Sequence, residues 1–351
     1  MDVCLNECMN LKKNKCSLRK LLSIFFVLTS TAILVAQPKF SEMAAKPGAF
    51  SRIGFGARGI GMGNAMSSII EGELVSYYNP AITPFQKNNS VQAGYSFLSL
   101  DRSLNFLSIT RKFDFYSSKD TILENRKPRT TAGISIGVIN SGVGSIDGRD
   151  NNGLPTGELS TSENQFFLGL AARISDKISL GVSVKFYYYS LYEEINSTSL
   201  GFDFGALYRI NENFNVALVV ADINSKYKWD TSPVYEQDGV ISEDKFPNLR
   251  KLGVSYRNKE IGILGAVEFE NSSAETNIIR AGVEYNIYDQ FFVRGGIDQF
   301  NVSNIDWAIK PALGLSFFKA LGTFVVGVDY VFQIEPYSSS DRHIVSVNFN
   351  F

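Results

Sequence analysis

The chain has 351 residues, with 27 Phe, 16 Tyr and 29 Gly beside 1 His and 2 Trp. Abundant aromatic residues and glycine are typical of strand-rich proteins and argue against a helical enzyme. The net charge is -1, and no basic cluster lies outside the first 36 residues, so no nucleic-acid partner is expected.

Residues 1–36 have the order of parts of a secretory signal peptide. Basic residues between Lys12 and Lys20 precede the apolar run LLSIFFVLTSTAILVA, which ends in small residues at Ala36. This run is shorter than the roughly 20 residues that a helix needs to span a bilayer. We therefore expect cleavage near Ala36, not an N-terminal membrane anchor.

The sequence predicts no enzyme, cofactor or metal site. Cys4, Cys8 and Cys16 all precede the apolar run, so the cleaved chain would contain neither a disulfide nor a thiolate ligand. The single histidine, His343, lies on the last predicted strand in phase with apolar residues. Catalytic groups cannot be assembled around it.

Residues 37–88 contain two short motifs, a glycine-rich run from Gly54 to Ala65 and Tyr77-Tyr78-Asn79-Pro80-Ala81. A glycine-rich phosphate cradle requires a preceding strand and a following helix, and neither is predicted here. Dense glycine instead favours close packing of the backbone against a wall.

From residue 89 to the end, apolar residues alternate with small or polar ones, as the wall of a transmembrane β-barrel requires. In ISLGVSVKFYYY, for example, Val182, Val184 and Phe186 share the face opposite Ser183 and Lys185. A soluble β-sandwich also alternates, but it does not need this number of long strands. We predict fourteen strands, near 91–100, 103–112, 129–139, 164–174, 178–190, 200–210, 214–221, 249–257, 261–270, 276–287, 290–298, 308–317, 321–333 and 342–351.

The connections predict the orientation of this barrel. From the fourth strand onward, tight turns alternate with longer connections, which are expected at 140–162, 191–199, 222–248, 299–307 and 334–341. Bacterial barrels place short turns at the periplasm and long loops outside. This alternation predicts an outer-membrane protein, embedded in lipid, with both termini periplasmic. The connection at 113–128 is an exception, because it is long yet falls on the periplasmic side.

Charged residues recur on the face that would line the lumen. Mixed signs on facing strands favour pairing and a filled lumen over a wide pore, although solvated residues lining the lumen would give the same pattern. The predicted lumen charges are Arg173, Lys185, Asp203, Arg209, Lys251, Arg257, Arg280, Glu284, Arg294, Asp298 and Asp329.

The chain ends in an alternating segment that closes with Phe349-Asn350-Phe351. A terminal aromatic residue on such a strand resembles the assembly signal of outer-membrane barrels, which the barrel assembly machinery recognises. The competing interpretation is a buried last strand of a soluble sheet. Together with the leader, Phe349 and Phe351 favour the assembly signal.

The motifs together resemble the PorV/PorQ family, which is related to the FadL-type long-chain fatty acid transporters. The resemblance rests on GARGIGMGNA and YYNPA, the strand count and the terminal Phe351. It implies a signal peptide at 1–36, a plug, or hatch, at 37–88 in the lumen and a barrel at 89–351. The plug motif then comprises Gly56, Ala57, Arg58, Gly61, Gly63, Asn79, Pro80 and Ala81.

The same resemblance implies two functions. The first is a type IX secretion system component that binds secretion-system proteins or secreted cargo, through the loops at 140–162 and 222–248. The second is a FadL-like channel for long-chain fatty acids or other hydrophobic small molecules. The acidic pair of the family is reduced here to Glu71-Gly72-Glu73, so contacts of the plug can differ.

We expect the protein extracted from outer membranes to begin near Gln37, because the leader is cleavable. N-terminal sequencing of the extracted protein measures this. An inner-membrane protein that retains Met1 or Met9 would contradict the prediction.

Overall fold

The computed structural model describes residues 43, 46–72, 76–116, 128–192 and 194–351, so the predicted leader lies outside the described residues. The strands are β1 Ser90–Phe97, β2 Arg102–Phe115, β3 Thr130–Arg149, β4 Pro155–Arg173, β5 Ile178–Tyr192, β6 Ile195–Arg209, β7 Phe214–Ile223, β8 Lys226–Asp230, β9 Ile241–Lys245, β10 Leu249–Asn258, β11 Ile263–Ser272, β12 Asn277–Tyr288, β13 Phe291–Asn301, β14 Lys310–Leu321, β15 Phe324–Gln333 and β16 Arg342–Asn350. Short helices are α1 Gly56–Gly61 and α2 Ser232–Tyr235, with 3₁₀ helices at Ala49–Arg52, Pro80–Phe85 and Glu236–Asp238.

Fourteen of these strands form one closed antiparallel barrel, as predicted from the alternation. Each strand pairs with its sequence neighbour, β7 pairs with β10, and β16 closes the barrel against β1. Closure matters because every backbone donor and acceptor of the wall must be paired in lipid. Among the described residues, none of the helices has the length and apolar character needed to cross a bilayer.

The predicted phase of the wall is confirmed on β5. Val184 is 38% exposed, whereas its neighbours Ser183 and Lys185 are 6% and 2% exposed. The exposed outer face is apolar along the strands, and the inner face carries glycine, serine and charge. This arrangement is that of a transmembrane barrel, because lipid covers the apolar face.

Aromatic pairs ring the outer wall at one end of the barrel, which we call the turn end because two to four residues join β4–β5, β6–β7, β10–β11, β12–β13 and β14–β15 there. Neighbouring rings lie close, with centroid distances of 4.8 Å for Phe291–Phe317 and 5.1 Å for Phe324–Phe349. Such a girdle marks a membrane–water interface. We call the opposite rim the mouth.

The C-terminal residue belongs to the closing seam at the turn end. The amides of Asn89 and Phe351 each donate to the carbonyl oxygen of the other, at 3.1 and 3.0 Å. Phe351 and Phe349 also lie close together on the outer wall, with ring centroids 6.0 Å apart. Their role as an assembly signal stays a prediction.

Two predicted long connections are largely strand in the structure. β3 and β4 continue to Arg149 and Pro155, and only two residues separate β5 from β6, so the connections predicted at 140–162 and 191–199 are wrong. Both faces of the β3 and β4 extensions meet water, so no apolar alternation marks them in the sequence. On β6 the inner face is buried between Ile195 and Ser199, but it carries mainly serine. The connection at 222–248 contains the separate hairpin β8–β9. Of the exceptional connection 113–128, β2 takes the part up to Phe115, and 117–127 lies outside the described residues.

The described chain enters the barrel at the mouth and reaches β1 at the turn end. Met43 packs with Ala221, Leu249 and Ala274, which lie beside mouth connections, whereas Arg173, near the β4–β5 turn, lies over the ring of Phe85. Met43 and Phe351 therefore lie at opposite rims. Residues 37–42 are outside the described part, so the periplasmic placement of both termini stays a prediction.

We expect Val184→Arg to destabilise the barrel by about 2 to 4 kcal/mol, because it places a charge in the lipid-facing wall near the bilayer midplane. Asn196→Arg is the matched control, since Asn196 is exposed near the mouth end of β6. It should cost about 0 to 1 kcal/mol, the value for a charge near the interface. Folding titrations in bilayers compare the two variants. Equal effects would mean that the wall does not face lipid.

Candidate functional site

The inside of the barrel is occupied by residues 46–72 and 76–86, which we call the lumen segment. Its side chains and backbone contact the inner face of most strands, and the largest cluster of buried apolar residues joins the two. This cluster includes Phe55, which stacks on Phe106 of β2 at 5.5 Å. The candidate site is therefore the lumen itself.

A row of small residues crosses four neighbouring strands beneath the Asn79-Pro80-Ala81 turn. Gly133, Ala171, Gly181 and Gly205 are direct register partners on β3 to β6. A Cβ atom at Gly181 would lie 2.6 Å from the amide nitrogen of Ala81. Only a residue without a side chain permits this approach.

Asn79 fixes the turn that rests on this row. Its Oδ1 atom accepts a hydrogen bond from the Ala81 amide at 2.9 Å, and its Nδ2 donates to the Ser67 carbonyl at 2.8 Å. Asn79 thereby caps the 3₁₀ helix that begins at Pro80, as asparagine commonly does at helix starts. Asn79 thus links residues 76–86 of the lumen segment to residues 46–72.

A second row of small residues faces the end of the glycine-rich motif. Ala266, Gly282, Gly296 and Ala312 are register partners on β11 to β14. Gly63 has a φ of 59°, and a Cβ there would lie 2.5 Å from the carbonyl oxygen of Ile297. Glycine is needed at 63 for both reasons.

Arg58 of α1 joins the lumen segment to the wall. Its Nε and Nη2 atoms donate to the two carboxylate oxygens of Glu284, both at 2.8 Å, and Nη1 donates to the Glu71 carbonyl at 2.7 Å. Glu284 also pairs with Arg294, which contacts Asp329 at 3.0 Å. This first ion network is buried and spans α1, β12, β13 and β15. Bidentate pairs of this kind are strong and directional.

A second network lies further towards the mouth. Arg280 contacts Asp298 at 2.7 Å and Glu270 at 2.9 Å, and Lys251 contacts Glu270 at 3.3 Å. The lumen segment joins it through Asn64, whose Nδ2 donates to Asp298 at 2.8 Å. The network therefore fixes the segment as well as the wall.

The third network lies on the opposite side of the lumen. Lys185 contacts Asp203 at 2.6 Å and Asp222 at 3.0 Å, and the Tyr187 hydroxyl donates to Asp222 at 2.7 Å. The Lys185 ammonium also lies 4.7 Å from the ring centre of Tyr77. Every charge in this cluster has a partner, as burial requires.

The structure places most of the predicted lumen charges in these networks. Arg173, Arg209 and Arg257 are instead only partly buried near the turn end. Three further buried lumen charges lie outside the predicted set: Asp222, Glu268 and Glu270. The two glutamates could have been found, because they alternate in phase with Leu264 and Ala266 on β11. Asp222 could not, since its left-handed φ of 60° interrupts the pattern of β7.

Two cavities border the mouth half of the lumen segment. The interior cavity has a volume of about 30 Å³, and the larger mouth pocket has about 230 Å³. Arg52, Glu270 and Arg280 line both, so the cavities are neighbours. The apolar lining of the mouth pocket is formed by Met43, Ala49, Ile53, Ile278, Trp307 and Tyr337.

Polar groups with spare hydrogen-bonding capacity also reach the mouth pocket. The buried Nε2 of Gln333 has no hydrogen-bond partner within the described part of the chain. Arg52 donates to the carbonyl oxygens of Pro47 and Lys46 at 2.8 and 3.2 Å. Within the same described residues, Arg52 and the adjacent buried Arg342 have no carboxylate at ion-pair distance. The carboxylates of Glu270, Asp298 and Glu335 also line the pocket, and each is paired with a basic side chain. The pocket therefore combines an apolar wall and paired charges with donors suited to an acceptor or anion.

Fold and lumen together define a transmembrane β-barrel that contains part of its own chain. The toluene transporter TbuX of Ralstonia pickettii has the same fold, with a TM-score of 0.56, 12% identity, and coverage of 85% of this chain and 98% of that one. The monoaromatic hydrocarbon channel CymD has a TM-score of 0.54 and 15% identity, with coverage of 85% of this chain and 97% of that one. A FadL homologue of Pseudomonas aeruginosa has a TM-score of 0.51 and 10% identity, with coverage of 85% of this chain and 98% of that one.

No family model and no curated protein sequence matches the chain. The solved structures therefore establish the fold, and the resemblance to the PorV/PorQ family stays a prediction.

We expect Arg58→Met to loosen the lumen segment, because removing one member of a buried ion pair costs about 3 to 5 kcal/mol. We expect a cost at the lower end of this range, because Glu284 still pairs with Arg294 in the variant. Limited proteolysis of the segment and single-channel conductance in planar bilayers should both increase. Arg149→Met is the control, because the Arg149–Asp147 pair is exposed and such pairs contribute about 0 to 1 kcal/mol. If proteolysis and conductance of Arg58→Met matched those of the wild-type protein, the Arg58–Glu284 contact would not hold the lumen segment in place.

We expect Gly181→Ala to displace the Asn79-Pro80-Ala81 turn, because the added Cβ meets backbone that cannot rotate away. Gly144→Ala is the matched control, since a Cβ there meets nothing within 4 Å. Thermal unfolding of both variants in the same detergent measures the difference. A Gly181→Ala protein as stable as the control would show that the turn adjusts without cost.

Proposed function

We propose that this protein is an outer-membrane channel for small hydrophobic molecules, including amphiphiles with an anionic head, and that the lumen segment is its plug. The observation that carries the proposal is the mouth pocket. Its volume of about 230 Å³ and its mixed lining suit one apolar molecule with a polar end.

The chemistry of the mouth pocket favours an amphiphile. Met43, Ile53 and Trp307 would cover an apolar tail, because burying apolar surface is favourable by about 25 cal/mol per Å². Arg52 and the free Nε2 of Gln333 would receive the head, since a buried donor without a partner is costly. A neutral hydrocarbon would use only the first set of contacts.

Passage beyond the mouth pocket requires the lumen segment to move. The neighbouring interior cavity of about 30 Å³ has room for only a few water molecules. Ion networks and small-residue rows hold the segment against the wall around it. The described conformation is therefore the closed state of the proposed channel.

The fold agrees with this proposal. The solved proteins with the same fold include a toluene transporter and monoaromatic hydrocarbon channels. Their substrates are apolar, as is much of the mouth pocket. Long-chain fatty acids, expected from the sequence resemblance, share the apolar tail and add the anionic head.

The type IX secretion function stays a prediction. The surfaces expected to bind protein partners are the connections 140–162 and 222–248, and the second contains Tyr227, Trp229 and Tyr235. Tyr227 and Trp229 are only 0% and 9% exposed, because they pack inward on Tyr187 and Tyr189, and Tyr235 is 61% exposed. The hairpin thus offers less aromatic surface to a partner than the sequence indicates, which favours the channel. Recognition by the barrel assembly machinery also stays a prediction.

The channel can be tested with purified protein in phospholipid vesicles. We expect faster uptake of toluene and of pyrene-labelled dodecanoate than in empty vesicles, with sucrose unaffected. Arg52→Met should weaken dodecanoate binding about tenfold, because a hydrogen bond to a charged group contributes about 1.5 to 3 kcal/mol. Toluene uptake should not change.

Arg250→Met is the control, because Arg250 is exposed. Uptake of sucrose at the rate of toluene would contradict the channel proposal. Equal dodecanoate binding by Arg52→Met and Arg250→Met would contradict the proposed role of Arg52 in binding the anionic head, but it would leave the channel proposal intact.

A further inference from the structure

An open apolar cleft lies on the outer wall of the barrel, far from the mouth pocket in the fold. It has a volume of about 490 Å³ and runs across β12 to β15. Most of its lining consists of exposed apolar or aromatic side chains, among them Ile287, Phe291, Leu315, Phe317, Val328 and Tyr330. The cleft is therefore open to whatever surrounds the wall.

The cleft arises from an irregularity in the wall near the turn end. The pairing of β12 with β13 shifts register between Asn286 and Tyr288, close to the two-residue turn. The shift interrupts the regular rows of outward side chains, and the floor reaches Phe292 and Ser316. A register shift of this kind bends a strand and redirects its side chains.

Rigid aromatic groups form the two sides of the cleft. Phe291 and Phe317 pack together on one side, with ring centroids 4.8 Å apart and the ring planes tilted by 41°. On the other side, the Tyr330 hydroxyl is 2.7 Å from the Nδ1 atom of His343, which restrains the Tyr330 ring. A ligand entering between them would order few side chains, which lowers the entropic cost of binding.

We propose that this cleft binds one acyl chain of a phospholipid from the leaflet at the turn end. The cleft opens on the transmembrane wall, so hydrocarbon chains are the medium in contact with it. An unfilled void would leave its lining without dispersion contacts, which a flexible chain restores. Bacterial barrels place short turns at the periplasmic side, where the inner leaflet of the outer membrane supplies phospholipid. The proposal does not depend on the channel function.

Native mass spectrometry of the detergent-purified protein, after incubation with phosphatidylethanolamine, tests the proposal. The wild-type protein should retain one phospholipid. Leu315→Trp fills the cleft, and the retained fraction should fall by a factor of about ten, as expected from losing the contacts of a few methylene groups. Leu168→Trp is the control, because Leu168 is also outward and exposed but lies on β4.

Heat-modifiable migration on gels establishes that each variant is folded. If Leu315→Trp does not fold, Val328→Trp fills the same cleft from β15 and replaces it. Equal lipid retention by the cleft variant and Leu168→Trp would overturn the proposal. So would a wild-type protein that retains no phospholipid, or one that instead forms a dimer abolished by Leu315→Trp.

Discussion

A polypeptide wall in lipid must pair all of its backbone groups, and closing fourteen strands into a barrel meets that requirement. Closure creates a second requirement, because the inner face then surrounds a space that must hold either water or protein. Here much of that space holds the lumen segment, residues 46–72 and 76–86. The small-residue rows exist for this reason, since backbone approaches backbone at Gly181 and Gly63. Barrel closure thus creates the lumen, and the small-residue rows let the chain's own backbone fill much of it.

The ion networks explain how so many charges remain inside the barrel. Burial of a single charge would be prohibitive, but Glu284 is shared by two arginines and Asp298 contacts Arg280 and Asn64. Each network includes or borders a residue of the lumen segment. Displacing the segment would therefore leave wall charges with fewer partners unless water entered with the same movement.

The two sides of the wall present different binding chemistry. The mouth pocket combines apolar groups with Arg52 and Gln333, so it presents different groups to the two ends of the proposed amphiphile. The outer cleft is almost entirely apolar, and the His343 ring beside it serves to restrain Tyr330. No catalytic role is predicted for His343, the single histidine of the chain. In the structure it instead contacts Tyr330 on the lipid-facing side of the wall.

The sequence by itself determined the wall, because alternation has a period of two residues and a slip of one residue would turn every apolar side chain inward. All fourteen strands, the inward phase of Lys185 and Arg280, and the outward phase of Val184 follow from that rule. The rule fails where both faces meet water, as in the strand extensions towards Arg149 and Pro155. Alternation also does not indicate which charged residues pair with each other, because contacts such as Arg58–Glu284 join residues 226 positions apart. Only the closed tertiary structure decided which charges pair and where the interior cavity and the mouth pocket form. It also decided that Met43 and Phe351 lie at opposite rims. These features depend on distances across the lumen, which no local sequence pattern contains.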